Sequence, residues 1–267
     1  MPTARNGTVS LHYDSTGTGV PVLLVMGLGM TATGWWRTVP VLAAAGLRVL
    51  SFDNRGVGRS DGPAGPYTTA VMADDAVAVL DAAAVRRAHI YGISLGGMIA
   101  QEIALRHPGR VDRLVLGATT SGGDGATLAD RETLEFFQRR GQMPAEEAVW
   151  ASVPYNFAAR TRAQRGDQIA QDISERLRYP IEPEPYVAQL AAALGHDTFG
   201  RLADISATTL VVHGQADVMV PPANGRLLAE RIPGARLLEL PAAAHLYPTD
   251  EPDADREIAA FLTADAD

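Results

Sequence analysis

Six short apolar runs constrain this chain more than any other feature: VPVLLVMG (20–27), LRVLSFDN (47–54), AHIYGI (88–93), DRLVLGA (112–118), TTLVVHG (208–214) and ARLLELP (235–241). Each is nearly continuous in apolar residues over the length of one strand. Strands with that pattern are buried on both faces, as in the interior of a parallel sheet. Helical patterns fill the gaps: 38–46 closing on Gly46, 68–85 with Thr or Asp to cap it, 95–108 stopped by Pro108, 224–232 and 253–263. TVSLHYDST (8–16) alternates instead and is expected to be a half-exposed strand. Between Gly122 and Ile205 the rhythm changes to amphipathic helix rich in Arg, Glu, Gln and Ala, punctuated by prolines at 144, 154, 180, 183 and 185. The expected fold class is α/β, a doubly wound and mostly parallel sheet built from 1–121 and 206–267, with 122–205 as a helical insertion.

Composition then removes whole classes of function. The 267 residues include no cysteine, so disulfides, thiolate metal sites and a catalytic thiol are excluded. A net charge of −8 argues against nucleic acid or an anionic membrane as the main partner. The opening MPTARNGTVSLHYD lacks the apolar core of a signal peptide, and no stretch approaches the roughly 18 apolar residues of a membrane helix. The expectation is a soluble, cytoplasmic protein.

The run AHIYGI ends on Gly92-Ile93-Ser94-Leu95-Gly96, followed by Gly97. G-x-S-x-G between a strand and a helix presents its serine on a sharp turn, where small neighbours relieve crowding. The helix start behind the serine aims its free N–H groups at developing negative charge. Glycine-rich turns of this kind also occur as plain structure or as phosphate cradles, so the deciding question is whether an acid and a histidine follow at the ends of later strands. In VVHGQADVMVPP, Asp217 lies three residues beyond a strand, and in AAAHLYPTDEP, His245 lies four residues beyond ARLLELP. Asp124, after DRLVLGA, is a rival acid; the G-x-x-D-x-x-x-P loop favours Asp217. The remaining histidines have plainer places: His12 in the exposed first strand, His89 at a strand start, His107 at a helix end, His196 in the insertion, and His213 buried against backbone. MGLGM (26–30) follows another strand end, and the N–H of Leu28 is expected to join that of Leu95 in an oxyanion hole.

With these residues assembled, the chain resembles the α/β-hydrolase superfamily over nearly its whole length, through VMGLGM, FDNRGVGRSDGP (52–63), YGISLGG, HGQADVMVP and AHLYPTDEP. Within it the chain is similar to small bacterial carboxylesterases and lactonases, grouped with 3-oxoadipate enol-lactonases and polyketide methyl esterases. The resemblance implies that 122–205 cap the serine, and that the Asp and Arg residues of 53–61 hold the floor of the site. The chain departs from the pattern at Met26-Gly27, where His-Gly is more frequent; a backbone donor survives that change, but the pocket wall differs.

The implied chemistry is hydrolysis of a carboxylic ester or lactone through an acyl-enzyme on Ser94, with His245 as base, Asp217 as its partner, and no metal or organic cofactor. Trp35, Trp36, Phe136, Phe137, Trp150, Tyr155 and Phe157 are candidate walls of an apolar or aromatic substrate cleft. The same three residues also serve C–C bond hydrolases, lyases, cofactor-free haloperoxidases and cyclases, and a non-catalytic small-ligand binder is a competing class.

Overall fold

Side chains along a strand alternate in direction, and this period of two sorts each buried run onto two separate cores. In the computed structural model, which describes residues 2–264, eight strands form one sheet: β1 (Thr3–Asn6), β2 (Val9–Thr16), β3 (Val20–Val25), β4 (Leu47–Phe52), β5 (Ala88–Ile93), β6 (Val111–Gly117), β7 (Thr208–Gly214) and β8 (Arg236–Leu240). Leu23, Val25, Leu50, Phe52, Ile90, Leu114 and Leu116 pack on one face. Val22, Leu24, Leu47, Val49, Tyr91, Ile93 and Val115 pack on the other. All six residues of β5 are buried, which is why AHIYGI carries no alternation.

The strand order is β1-β2-β4-β3-β5-β6-β7-β8. Pairing is parallel from β4 to β8, while β2 meets β4 and β1 meets β2 antiparallel. The chain runs outward from β3 to β4, then returns to lay β5 on the other side of β3. Loops leaving β3 and β5 therefore diverge at a topological switch point, the place where open α/β sheets bind ligands.

The helices lie on both faces and in the insertion. Helix α1 (Thr38–Ala44) and, from the chain's end, the last helix bury Leu42, Ile258, Phe261 and Leu262 on one face. Helices α2 (Thr69–Ala82) and α3 (Leu95–Arg106) bury Met72, Val79, Ile99 and Ile103 on the other. Between β6 and β7 run α4 (Arg131–Arg140), α5 (Ala145–Ala151), α6 (Val153–Asn156), α7 (Ala159–Gln164), α8 (Gly166–Leu177) and α9 (Pro183–Leu194). Val149, Phe157, Ile169 and Ile173 give these helices a small core of their own. Then come α10 (Ala223–Arg231), α11 (Tyr247–Asp250) and the last helix, α12 (Ala254–Thr263). No helix among the described residues is long and apolar enough to cross a membrane.

The expected half-exposed strand at 8–16 is more buried than its alternation suggests, and His12 within it is buried rather than exposed. The loop after β4 covers it: Ser10 N–H donates to Asp61 Oδ2 at 2.8 Å and His12 N–H to Ser60 Oγ at 2.9 Å.

Candidate active site

Ser94 stands between β5 and α3 at φ 57° and ψ −124°, a left-handed conformation that a non-glycine residue adopts only when its surroundings enforce it. A Cβ on Gly92 would run into Gly96 O, and one on Gly96 into Val25 O. A Cβ on Gly97 would come within 2.6 Å of the Thr119 side chain. The elbow is tied to the end of β6 by Ser94 N–H to Gly117 O at 2.9 Å and Thr119 Oγ1–H to Ser94 O at 2.8 Å. The turn is thus pressed flat against β3 and β6, with its serine side chain facing outward into a cavity.

His245 Nδ1 lies 2.8 Å from Asp217 Oδ2, both groups buried. The other oxygen of Asp217 accepts from the N–H groups of Met219 and Val220, each at 2.9 Å. Burial alone would raise the Asp217 pKa; the opposing pull of His245 and hydrogen bonds from His213 and His245 outweigh it and hold it at about 2. A carboxylate so fixed keeps the imidazole in one orientation. Asp250 sets the histidine loop in place, because its carboxylate takes the N–H of Ala244 at 2.7 Å and that of Ala158 at 3.1 Å. Leu246 N–H, on the other side of His245, donates to Asn156 O at 2.9 Å. The loop bearing His245 is therefore fastened to helices of the insertion.

Asp124, the rival acid, is exposed in a short 3-10 turn, and the carboxylate bonded to His245 is that of Asp217. His213 Nε2 lies 2.8 Å from Val220 O, the backbone partner expected for it, and 3.5 Å from Asp217 Oδ2. His196 is held between Thr69 and Thr198, and burial lowers its pKa to about 4.

Leu28, in the loop after β3, and Leu95, at the first turn of α3, both line the cavity with Ser94 and His245. Neither backbone N–H meets a protein acceptor among the described residues. A Cβ on Gly27 would stand 3.1 Å from Ser94 Cβ, which brings the two loops into contact. Three side chains shape the Leu28 loop: Asp53 accepts from Ala32 N–H at 2.8 Å, Asn54 Nδ2 donates to Met26 O at 2.9 Å, and Gln189 Oε1 accepts from Gly29 N–H at 2.9 Å. Arg59 N–H and Nε also bond Asp53, at 3.0 and 3.3 Å. Gln189 had no sequence signal, since a glutamine in an amphipathic helix reads as a solvated face.

The cavity measures about 590 Å³ and is walled mainly by apolar residues, with Met30, Met98, Leu134, Leu190 and Leu194 among them. Of the seven aromatic residues expected along it, only Phe137 is there. Trp35 is core, tilted against Tyr91 with centroids 4.8 Å apart. Trp36 donates its indole N–H to Asp172 at 2.8 Å and lies under Arg37. Phe136 and Tyr155 stack on each other at 4.1 Å, Phe157 belongs to the insertion's own core, and Trp150 is 52% exposed on the outer surface. Hydrophobicity marked these residues for burial, but burial among the helices and burial at the cavity wall are not distinguished by residue type. The wall also holds Arg140 and Arg176, which in sequence look like any arginine on a polar helix face.

A parallel sheet of this order, a strained serine elbow and an aspartate-paired histidine at the end of β8 define an α/β hydrolase. The family described as the α/β-hydrolase fold matches residues 20–252, and the chain belongs to that family. Among its relatives, a protein of Azorhizobium caulinodans provisionally named carbamate hydrolase RutD is 33% identical over 97% of this chain and 96% of its own length. The enol-lactonase from Burkholderia xenovorans LB400 superposes with a TM-score of 0.88 at 27% identity, covering 98% of this chain and 100% of that one. Est816, an N-acyl homoserine lactone degrading enzyme, superposes with a TM-score of 0.83 at 32% identity, again over 98% and 100%.

Proposed function

We propose that the protein is a serine hydrolase that cleaves a carboxylic ester or lactone of a largely hydrophobic small molecule through an acyl-enzyme on Ser94. One observation carries the proposal: Ser94 at its strained elbow, His245 bonded to Asp217, and Leu28 and Leu95, whose N–H groups meet no protein acceptor among the described residues, line one mainly apolar cavity. In this reading His245 takes the Ser94 proton as Oγ attacks the carbonyl carbon. The Leu28 and Leu95 N–H groups receive the oxyanion, a term worth about 2.7–4 kcal/mol per donor in comparable sites. Collapse of the tetrahedral intermediate transfers the proton from His245 to the leaving alkoxide. Water, deprotonated by His245, then attacks the acyl carbon and releases the acid and a free Ser94.

The substrate reading draws on the cavity walls and on relatives whose names refer to lactones. The segment 122–205 acts as the cap, since its helices supply wall residues from Leu134 to Leu194. We place the enzyme in the cytoplasm; the proposed chemistry needs only these side chains and no metal or organic cofactor.

A panel of p-nitrophenyl esters, alkyl methyl esters and lactones tests the proposal. The wild type is expected to turn over at least one class, and Ser94→Ala to lose about 10⁴-fold or more in kcat. Hydrolysis that persists in Ser94→Ala would overturn the reading.

A further inference from the structure

Arg140 and Arg176 line both the cavity of Ser94 and an adjoining one, and among the described residues neither has an ion-pair partner. Arg140, at the end of α4, is only 7% exposed, and Arg176 lies near the end of α8. The Nε atoms of both are buried without a hydrogen-bond partner, and among the described residues no carboxylate comes within 4.0 Å of either group. Arg140 rests over the ring of Tyr186 at 4.8 Å, which positions its charge without neutralising it. Asp172, the carboxylate nearest in influence to Arg176, is already bonded by the Trp36 indole at 2.8 Å and the Thr249 hydroxyl at 2.7 Å, with Arg37 at 3.5 Å. Glu182 lines an adjoining cavity of about 270 Å³ and forms no ion pair with either arginine. Among the described residues, the wall of the Ser94 cavity contains no aspartate or glutamate.

Burying an unpaired cation is costly, and burying two close together more so. Burial, followed by the charge of Arg140, lowers the Arg176 pKa to about 9. An arrangement of this kind is relieved by an anion, and a guanidinium fork fits a planar carboxylate with two parallel hydrogen bonds. The site also has a direction. A Cβ on Gly29 would lie 3.7 Å from an Arg140 terminal nitrogen, and Gly29 immediately follows Leu28. The charged end of the cavity therefore adjoins the oxyanion loop, within the span of a small molecule whose carbonyl sits at Ser94.

We infer that the substrate carries a carboxylate in addition to its scissile ester or lactone, and that Arg140 and Arg176 bind it. This inference rests on the ester or lactone reading above. The apolar walls then take the carbon chain between the two ends, and the arginines select against neutral esters of the same length.

The test compares mono-p-nitrophenyl glutarate with neutral p-nitrophenyl pentanoate on the wild type, Arg140→Gln, Arg176→Gln and the double variant. The wild type is expected to prefer the acidic ester by at least tenfold in kcat/KM. Each single substitution is expected to cut that preference at least tenfold, mainly through KM for the acidic ester. A wild type with no preference, or variants that keep the ratio unchanged, would show the arginines to be structural only and overturn the inference. Thermal melting of Ser94→Ala with succinate, glutarate or adipate supplies a readout that needs no turnover. At least one diacid is expected to raise Tm in proportion to its concentration, where neutral glutaramide does not, and added Arg140→Gln is expected to abolish the rise. If no diacid stabilises the protein, the carboxylate site is wrong. If neither these esters nor any member of the ester and lactone panel is hydrolysed while a diacid still stabilises, the ester or lactone reading fails and the anion site stands.

Discussion

Asp217 does two things for His245: it orients the ring and it stays ionised. Its Oδ1 is occupied by two backbone N–H groups, leaving Oδ2 for the imidazole at 2.8 Å. With its pKa at about 2, acidification across the ordinary assay range does not protonate it. Asp217→Asn is expected to cost about 10⁴-fold in kcat, because an amide favours the wrong imidazole tautomer. Asp124→Asn, at an exposed position, is expected to stay within twofold of wild type in the same assay. An equal loss from both substitutions would contradict the assignment. At this scale the sequence was informative about Ser94, Asp217 and His245, whose chemistry demands those residue types after those strands. It was silent on Arg140, Arg176 and Gln189, because a helix in the insertion shows its polar residues without showing which of them turn inward.

Helix α12 closes over the face of the sheet opposite α3 and carries a buried carboxyl in its first turn. Asp255 Oδ2 accepts from Thr38 Oγ1 at 2.7 Å, while its Oδ1 is buried without a partner. Burial pushes the carboxyl up to about 7, against the opposing hydrogen bond from Thr38. The folded state therefore keeps a proton that the unfolded chain releases near pH 4. The resulting stability is fully present below that unfolded value and is lost as pH rises through 7, a change on the order of 4 kcal/mol at most. Wild-type Tm is expected to fall by several degrees between pH 5 and pH 8, and Asp255→Asn to flatten that decline, with differential scanning calorimetry as the measure. A wild type and variant with parallel profiles would rule out Asp255 as the source. The elements themselves were largely readable: strands buried on both faces spell out as apolar runs, and α1, α2, α3, α10 and α12 fall within a few residues of their expected positions. Strand β1 was missed because TARN has no apolar pattern and buries only Ala4. What makes it a strand is Gly7, at φ 58°, which helps turn the chain so that Asn6 pairs with Val9.

The molecule as a whole places its chemistry where the sheet's connectivity forces a crevice. β3 and β5 lie side by side with their following loops parting, so the Leu28 loop and the Ser94 elbow face the same space. His245 reaches it from the end of β8, and helices from the insertion close over it. Sequence order alone indicated that these pieces meet, because strand ends in a parallel sheet share one edge. The size of the cavity, its apolar walls and its two unpaired arginines emerge only from how α4, α8 and α9 pack, which residue periodicity does not determine. In the proposed function this crevice activates Ser94 as a nucleophile, and that activation can be read directly. It is tested most directly by treating the protein with one equivalent of a fluorophosphonate and locating the adduct by mass spectrometry. One adduct per chain is expected, on Ser94, absent from Ser94→Ala and greatly slowed in His245→Ala. An unlabelled wild type, or an adduct on any other residue, would contradict it.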